Sequence, residues 1–335
     1  MSNIRRVAEL AGVSVATVSR ALKTPEVVSP ETREKVLKAV ELAGYRPNLM
    51  AVQFRSRKTR NLVVLVPAIS NVFFARVISG IQQRAQAYGY RVLLCNTYGR
   101  EDLESEYAEL VHAHQADGVI QLRAFNPFAA SGKRGATLPP MVNACEVLDD
   151  APCPTVSLDN RAAARAMTEY LLDLGHRRIG LIKGPQASPL TRERIVGYED
   201  ALREVGIEPD PTLLCRGNFT LQAGYDAAHL LLAHADRPTA IFCENDEMAI
   251  GAMRCIRQAG LRVPEDISVA GFDDITFSAF CDPPLTTIYQ PAEAFGEHAV
   301  EMLIALSENR PLGTDRHLVL PFKLMKRAST APAAR

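Results

Sequence analysis

Two short stretches of this chain hold residue types and spacings that could do chemistry. In Ser14-Val15-Ala16-Thr17-Val18-Ser19-Arg20-Ala21-Leu22, hydroxyls and a guanidinium alternate with small apolar side chains at helical spacing. An arginine can donate two hydrogen bonds to guanine O6 and N7, and a small apolar side chain can touch a thymine methyl. Val15, Ala16 and Arg20 therefore suit base edges, while Thr17 and Ser19 are short donors suited to phosphates. The alternative assignment packs Val15 into a core and engages Arg20 in a surface salt bridge. The second stretch is the acid pair Asp273-Asp274, at the end of an apolar run. Adjacent carboxyls could serve general acid/base work, but at a strand end they more readily cap a helix or accept from a ligand hydroxyl.

Patterns that would mark an enzyme are missing. There is no G-x-G-x-x-G after a strand, no G-x-x-x-x-G-K-[ST] and no G-x-S-x-G. His112 and His114 are two residues apart, which on a helix points them to different faces, and no further metal ligands cluster near them. No nucleophile stands beside a base. The expectation is a protein that is not an enzyme and needs neither cofactor nor metal.

The seven cysteines, from Cys95 to Cys281, form no C-x-x-C pair, and an odd dispersed set fits reduced thiols. The N-terminal MSNIRRVAEL turns charged within a few residues, unlike a secretory signal. The strongest apolar run, Leu62–Ile69, falls far short of the ~20 residues that span a bilayer. These features predict a cytoplasmic protein without a membrane segment.

The 335 residues are enough for two or three domains. Their balanced charge, 38 basic against 38 acidic groups, is unevenly spread. Residues 1–60 hold twelve Lys or Arg against five Asp or Glu, a net +7, so the remainder carries −7. A basic head on an acidic body fits contact with a polyanion, or a merely solvated charged face.

The elements that must position these residues follow from periodicity. In the head, Ile4, Val7, Ala8 and Ala11 fall at helical spacing until Gly12 breaks the run. Ser14 stands where a cap belongs, before a stripe of Val15, Val18, Ala21 and Leu22. Ser29-Pro30-Glu31-Thr32 starts a third helix, with Val36, Leu37, Val40 and Leu42 as its apolar stripe and Gly44 as its stop. This is a helix-turn-helix pattern. From Leu62 onward, strands expected at Leu62–Val66, Arg91–Cys95, Gly118–Leu122, Thr155–Leu158, Arg178–Ile182, Thr239–Cys243 and Ser268–Phe272 alternate with helices. The helices include Phe74–Tyr88, Ala162–Leu174 and Asp246–Ala259. Such alternation predicts parallel sheets covered by helices, in two α/β lobes. Pro127–Pro140 reads as a surface loop and Ala328–Arg335 as a frayed tail.

The stretches VAELAGVSVATVSRAL and VSPETREKVLKAVELAGYRPN resemble the head of the LacI-type bacterial transcription regulators. Matches continue at Gly175–Pro185, Glu244–Arg254, Val263–Asp274 and Pro283–Pro291, so the resemblance runs to about Arg327. It implies a DNA-binding helix-turn-helix head over residues 1–47 and a hinge helix and linker over 48–60. It further implies a two-lobed, periplasmic-binding-protein-like α/β core with parallel sheets over 61–328. The lobes are expected at about 61–158 with 290–320, and at 159–289. In the head, Val15, Ala16 and Arg20 would read bases, with Thr17, Ser19, Ser29, Thr32 and Asn48 near the backbone. Phe54 stands where the family's hinge carries a leucine that wedges into the minor groove, and phenylalanine can also enter a base step. It could instead pack against the head.

In the core, the resemblance assigns Phe73, Phe74, Arg194, Phe219, Asn245, Asp273 and Gln290 to a small effector. Phe73 and Phe219 would offer flat faces, and the polar groups would bind hydroxyls. Cys145 replaces an aspartate that many relatives use for the ligand, with Glu146 beside it as a candidate substitute. LPPMVNACE, GNFTLQAG, TAIFCENDEMAIGA and FCDPPLTTIYQP resemble most the nucleoside-responsive members of the family. The expected function is a repressor whose affinity for a pseudo-palindromic double-stranded operator falls when a nucleoside binds as inducer. A pentose or other sugar is the alternative effector; a solute-binding protein or a nucleoside- or sugar-processing enzyme fits less well. The chain lacks a leucine-heptad extension, so a homodimer is expected, cytoplasmic and nucleoid-associated when on DNA.

Overall fold

Cap residues and glycines divide residues 4–45 into helices much as their chemistry dictates. In the computed structural model, which describes residues 4–45, 58–129, 138–148, 153–313 and 316–333, the head holds α1 (Ile4–Ala11), α2 (Val15–Lys23) and α3 (Pro30–Ala43). Gly12 and Gly44 take φ of +63° and +57°, and in each case the next residue's N–H reaches back to a carbonyl five residues earlier. That bond pair ends α1 and α3 without leaving their last carbonyls bare. Ser14 Oγ accepts from Thr17 N–H (3.1 Å) and Ser29 Oγ from Thr32 N–H (3.4 Å), capping α2 and α3. Val7, Ala8, Val18, Ala21, Val36 and Ala39 form the core. Leu37 and Leu42, expected on the buried stripe of α3, are instead 47% and 80% exposed. The face that packs follows Val36, Ala39, Val40 and Ala43, the three- and four-residue steps of one helix side.

The head (Met1–Thr59) and the body (Arg60–Arg335) are separate units. The body holds two six-stranded sheets. The first has the order β2–β1–β3–β4–β5–β11, from Asn61–Val66 (β1), Arg91–Asn96 (β2), Val119–Gln121 (β3), Met141–Ala144 (β4), Thr155–Leu158 (β5) and His317–Leu320 (β11). The second has the order β7–β6–β8–β9–β10–β12, from Ile179–Lys183 (β6), Leu214–Arg216 (β7), Ala240–Cys243 (β8), Ser268–Asp273 (β9), Thr286–Tyr289 (β10) and Lys323–Met325 (β12). Every pairing is parallel except β10 with β12. The chain is thus an α/β protein, and it passes between the sheets three times, after β5, β10 and β11.

Helix pairs cover the sheets through close backbone contacts. Helices Leu221–Leu232 and Asp246–Gln258 meet at Gly224 and Gly251, where an added Cβ would lie 2.0 Å from a carbonyl oxygen of the facing helix. Five strands escape the sequence reading: β4, β7, β10, β11 and β12. Each has only three or four residues with a polar or charged side chain among them, which leaves little periodic signal.

The tail is a correction. Ala328–Arg335 reads as frayed, yet Ser329 is fully buried and its backbone pairs with Pro284 (3.0 Å) and Val269 (2.8 Å). Its Oγ donates to Val269 O and accepts from Thr286 N–H. Ala333 N–H reaches Leu174 O at 2.8 Å. Small side chains let this segment lie flat along the second lobe, a placement no periodicity announces.

Candidate effector cleft and DNA-binding head

Residues just past the carboxyl ends of β1–β4 and β6–β10 line one cavity of about 420 Å³ between the lobes. In each sheet the strand order reverses beside the first strand, and ligands of open α/β sheets bind at such ends. The cavity brings together Phe73, Phe74, Arg194, Phe219, Asn245, Asp273 and Gln290, all seven residues named for the effector.

Local structure explains their placement. Asn71 Oδ1 accepts from the N–H groups of Phe73 (3.0 Å) and Phe74 (3.2 Å), starting helix Val72–Ala87 at the cavity wall. Phe73 is only 8% exposed and packs edge-on against Phe74 and Phe295. It therefore faces the core more than the cavity, and the half-buried Phe74 and Phe219 are the more open rings. Phe219 has φ +66°, its carbonyl accepts from Asn245 Nδ2 (3.1 Å), and its ring covers Gly184 so closely that a Cβ there would lie 2.1 Å away. Asn245 Oδ1 also caps helix Asp246–Gln258 through Met248 N–H (3.0 Å).

The acid pair divides its work. Asp273 and Asp274 both hold left-handed backbone, φ +112° and +53°, a strain that tends to gather at functional sites. Asp273 enters the cavity, where its Oδ1 accepts from Gln290 Nε2 (2.6 Å). Asp274 turns away to an ion pair with Arg327 (2.7 Å). Burial raises the Asp273 carboxyl well above the usual carboxylate range, against the pull of Arg194. Arg194 is 3% exposed, with its guanidinium 3.5 Å from the centre of the Phe272 ring. It donates to Asn160 Oδ1 (2.9 Å) and to Glu244 O. Burial lowers its pKa, with Asp273 opposing.

Several lining residues escape the sequence reading, among them Asn71, Arg123, Ser188 and Glu247. Cys145 and Glu146, left open there, both line the cavity. Glu101, Glu146, Glu247 and Asp273 supply four carboxyls to the wall, against the guanidiniums of Arg123 and Arg194. Arg123 is held by Glu104 (3.2 Å) and Glu101 (3.5 Å), and Arg194 by the contacts above, so each cation already has protein partners. Lone polar residues on loops carry no periodic signal; only their convergence in space marks them.

In the head, Val15 is 41% exposed, and Ala16 and Arg20 are exposed as well. The Arg20 side chain has no partner among the described residues, whereas Lys35 and Lys38 are paired with Glu31 and Glu34 (2.8 Å each). Thr17 and Ser19 are half-buried beside them, and the Thr17 hydroxyl meets that of Ser14 (2.9 Å). Ser29 donates to Thr32 Oγ1 (2.9 Å), which leaves the Thr32 hydroxyl proton available. Asn48 and Phe54 lie outside the described residues.

Residues 3–48 match the family model of bacterial regulatory proteins of the lacI family, and residues 168–330 match that of a periplasmic binding protein-like domain. The HTH-type transcriptional repressor CytR of Escherichia coli (strain K12) is 41% identical over 329 residues, 98% of this chain and 96% of the relative. The chain belongs to the LacI family. As such it is a DNA-binding transcriptional regulator with a small-molecule effector, and not an enzyme. The ribose operon repressor of Haemophilus influenzae is another LacI-family relative, 35% identical over 96% of both chains. Among solved structures, the lac repressor dimer bound to operator and the anti-inducer ONPF superposes with a TM-score of 0.87, at 30% identity over 98% of this chain and 99% of that one. No helix among the described residues is long and apolar enough to cross a membrane.

The head carries one expected result. Replacing Arg20 with Ala should weaken operator binding by ~1–3 kcal/mol and relax selectivity at one position in each half-site. Binding curves on an operator and its single-base variants check this. Unchanged affinity and selectivity would remove Arg20 from the groove.

Proposed function

We propose that this LacI-family protein is a homodimeric repressor that leaves a pseudo-palindromic operator when an unphosphorylated nucleoside fills the cleft. The cleft's composition carries the reading. Two open aromatic rings suit a planar base, while Asp273, Asn245, Gln290 and Arg194 suit ribose hydroxyls. Four carboxyls against two guanidiniums give the wall more acidic than basic groups, which disfavours a phosphate. The likeness to CytR agrees. Val15, Ala16 and Arg20 would read bases, with Thr17, Ser19, Ser29, Thr32 and Asn48 at the backbone and Phe54 wedged at the hinge. The domains would be a head over 1–47, a hinge over 48–60 and a core from 61, acting in the cytoplasm on the nucleoid.

A free sugar is the second reading, because the hydroxyl-binding groups would serve a pentose equally and a ribose operon repressor is among the relatives. Thermal melting of the full-length protein separates the two. A ligand at one hundred times its dissociation constant adds ~2.7 kcal/mol of stability. The expected result is a raised Tm with cytidine or adenosine that also releases an operator duplex, and no such shift with their 5′-monophosphates. A shift with ribose and none with nucleosides would replace the nucleoside by the sugar.

A further inference from the structure

We infer that Glu146 selects the effector's base by accepting a hydrogen bond from an exocyclic amine, and that the same carboxyl ties the two lobes together. The inference rests on the nucleoside reading of the cleft.

Glu146 follows β4 in the first lobe, is 8% exposed and lines the cavity. The chain turns sharply as it enters this position, with φ +73° at Cys145. Both carboxyl oxygens accept. Ala124 N–H, in the same lobe, donates to Oε2 at 2.9 Å. Ser188 Oγ, in the second lobe, donates to Oε1 at 2.6 Å. Ser188 occupies the N-cap position of helix Pro189–Glu204, where a serine ordinarily accepts from a helix N–H, yet it makes no side-chain cap bond. Its hydroxyl is committed to Glu146 instead, across the cleft.

A carboxylate offers about four acceptor positions, and two of these are filled by protein donors. The remaining positions can only accept, so the ligand edge that fits them must donate. Cytosine N4 and adenine N6 are such donors, and glutamate pairs with cytosine N4 where proteins read bases. Uracil presents the O4 oxygen at the corresponding place, which a carboxylate repels. The other cavity carboxyls are less suited. Glu101 is 68% exposed at its side chain and paired with Arg123, Asp273 is engaged with the ribose hydroxyls in that reading, and burial raises the pKa of the Glu247 carboxyl, which favours its protonated form.

The Ser188 bond gives this recognition a mechanical consequence. A ligand amine that draws on Glu146 acts on a group already shared between the lobes, so recognition and lobe arrangement move together.

Calorimetric titration of the full-length protein with cytidine, adenosine, uridine and ribose tests the inference. The wild type should bind cytidine at least tenfold more tightly than uridine. In Glu146→Gln, whose amide can donate to O4, the ratio should fall to within about threefold. Ser188→Ala should shift both affinities by one factor and keep the ratio. Equal wild-type affinity for cytidine and uridine, or an equal loss of both in Glu146→Gln, overturns the role of Glu146 while leaving a nucleoside effector intact. No nucleoside binding by the wild type overturns the effector reading itself. Melting curves of each variant establish that it is folded, and Glu146→Asp, which keeps the charge with a shorter reach, serves if Glu146→Gln is not.

Discussion

Arg194→Ala should blind the protein to its effector while leaving it able to hold an operator. Two of the five guanidinium N–H donors go to Asn160 and to the Glu244 carbonyl, which leaves three for a ligand beside the cavity. Each hydrogen bond to a charged group contributes about 1.5–3 kcal/mol. Losing one of them should raise the effector's dissociation constant at least about tenfold, and losing two at least about a hundredfold. Operator affinity without effector should stay within about threefold, because the residues proposed to read DNA lie in a separate unit. Arg194→Lys should rescue little, since an ammonium keeps the charge but lacks the planar fork that holds Asn160 and the carbonyl together. Calorimetry gives the first number and operator titrations, with and without effector, the second. Wild-type effector affinity in a folded Arg194→Ala protein would place the ligand elsewhere.

The second large effect is a pH dependence located at Glu244, behind the cavity wall. The side chain is fully buried, and burial raises its carboxyl to about 7 against the pull of Arg194 and a bond from Gly184 N–H (2.7 Å). An acid whose folded pKa lies above its unfolded value binds more protons in the native state between the two. Its contribution is complete below about 4.5 and is lost as the pH rises through about 7. The loss amounts to about 3 kcal/mol. Glu244→Gln, neutral at every pH, removes this dependence. Wild-type stability should therefore fall by about 3 kcal/mol relative to Glu244→Gln between pH 4.5 and 8, measured by denaturant unfolding along that series. Asp246, also raised to about 7 by burial, and Asp273 are common to both proteins and cancel in the difference. Parallel curves would mean that Glu244 stays charged when folded.

Both effects depend on buried polar groups, Arg194 within a helix and Glu244 at the end of β8, and this is where the sequence is least explicit. The head was almost wholly legible because its signals are local. Ser14 and Ser29 cap the residues three positions on, and Gly12 and Gly44 supply left-handed stops. Leu37 and Leu42 were misplaced because a three-helix head this small buries only a narrow stripe of α3. In the body, β1, β8 and β9 stand out as buried apolar runs, whereas β4, β7, β10, β11 and β12 are short and interrupted by polar side chains.

The sequence by itself determined the fold class, the helix-turn-helix head and the family. Those rest on cap chemistry, periodicity and motifs that each lie within a few neighbouring residues. Through the resemblance it also named seven residues that line one cavity. Only the tertiary structure decided that Phe73 turns toward the core while Phe74 stays open, that Asp273 and Asp274 part company, and that Glu146 reaches Ser188 across 42 residues of chain. It also decided that Ser329 bonds to β9 and to the start of β10 in the second sheet. The reason is physical. A cap or a turn is specified by groups a few bonds apart, but a cavity's charge balance is set by which distant loops two parallel sheets bring to one end.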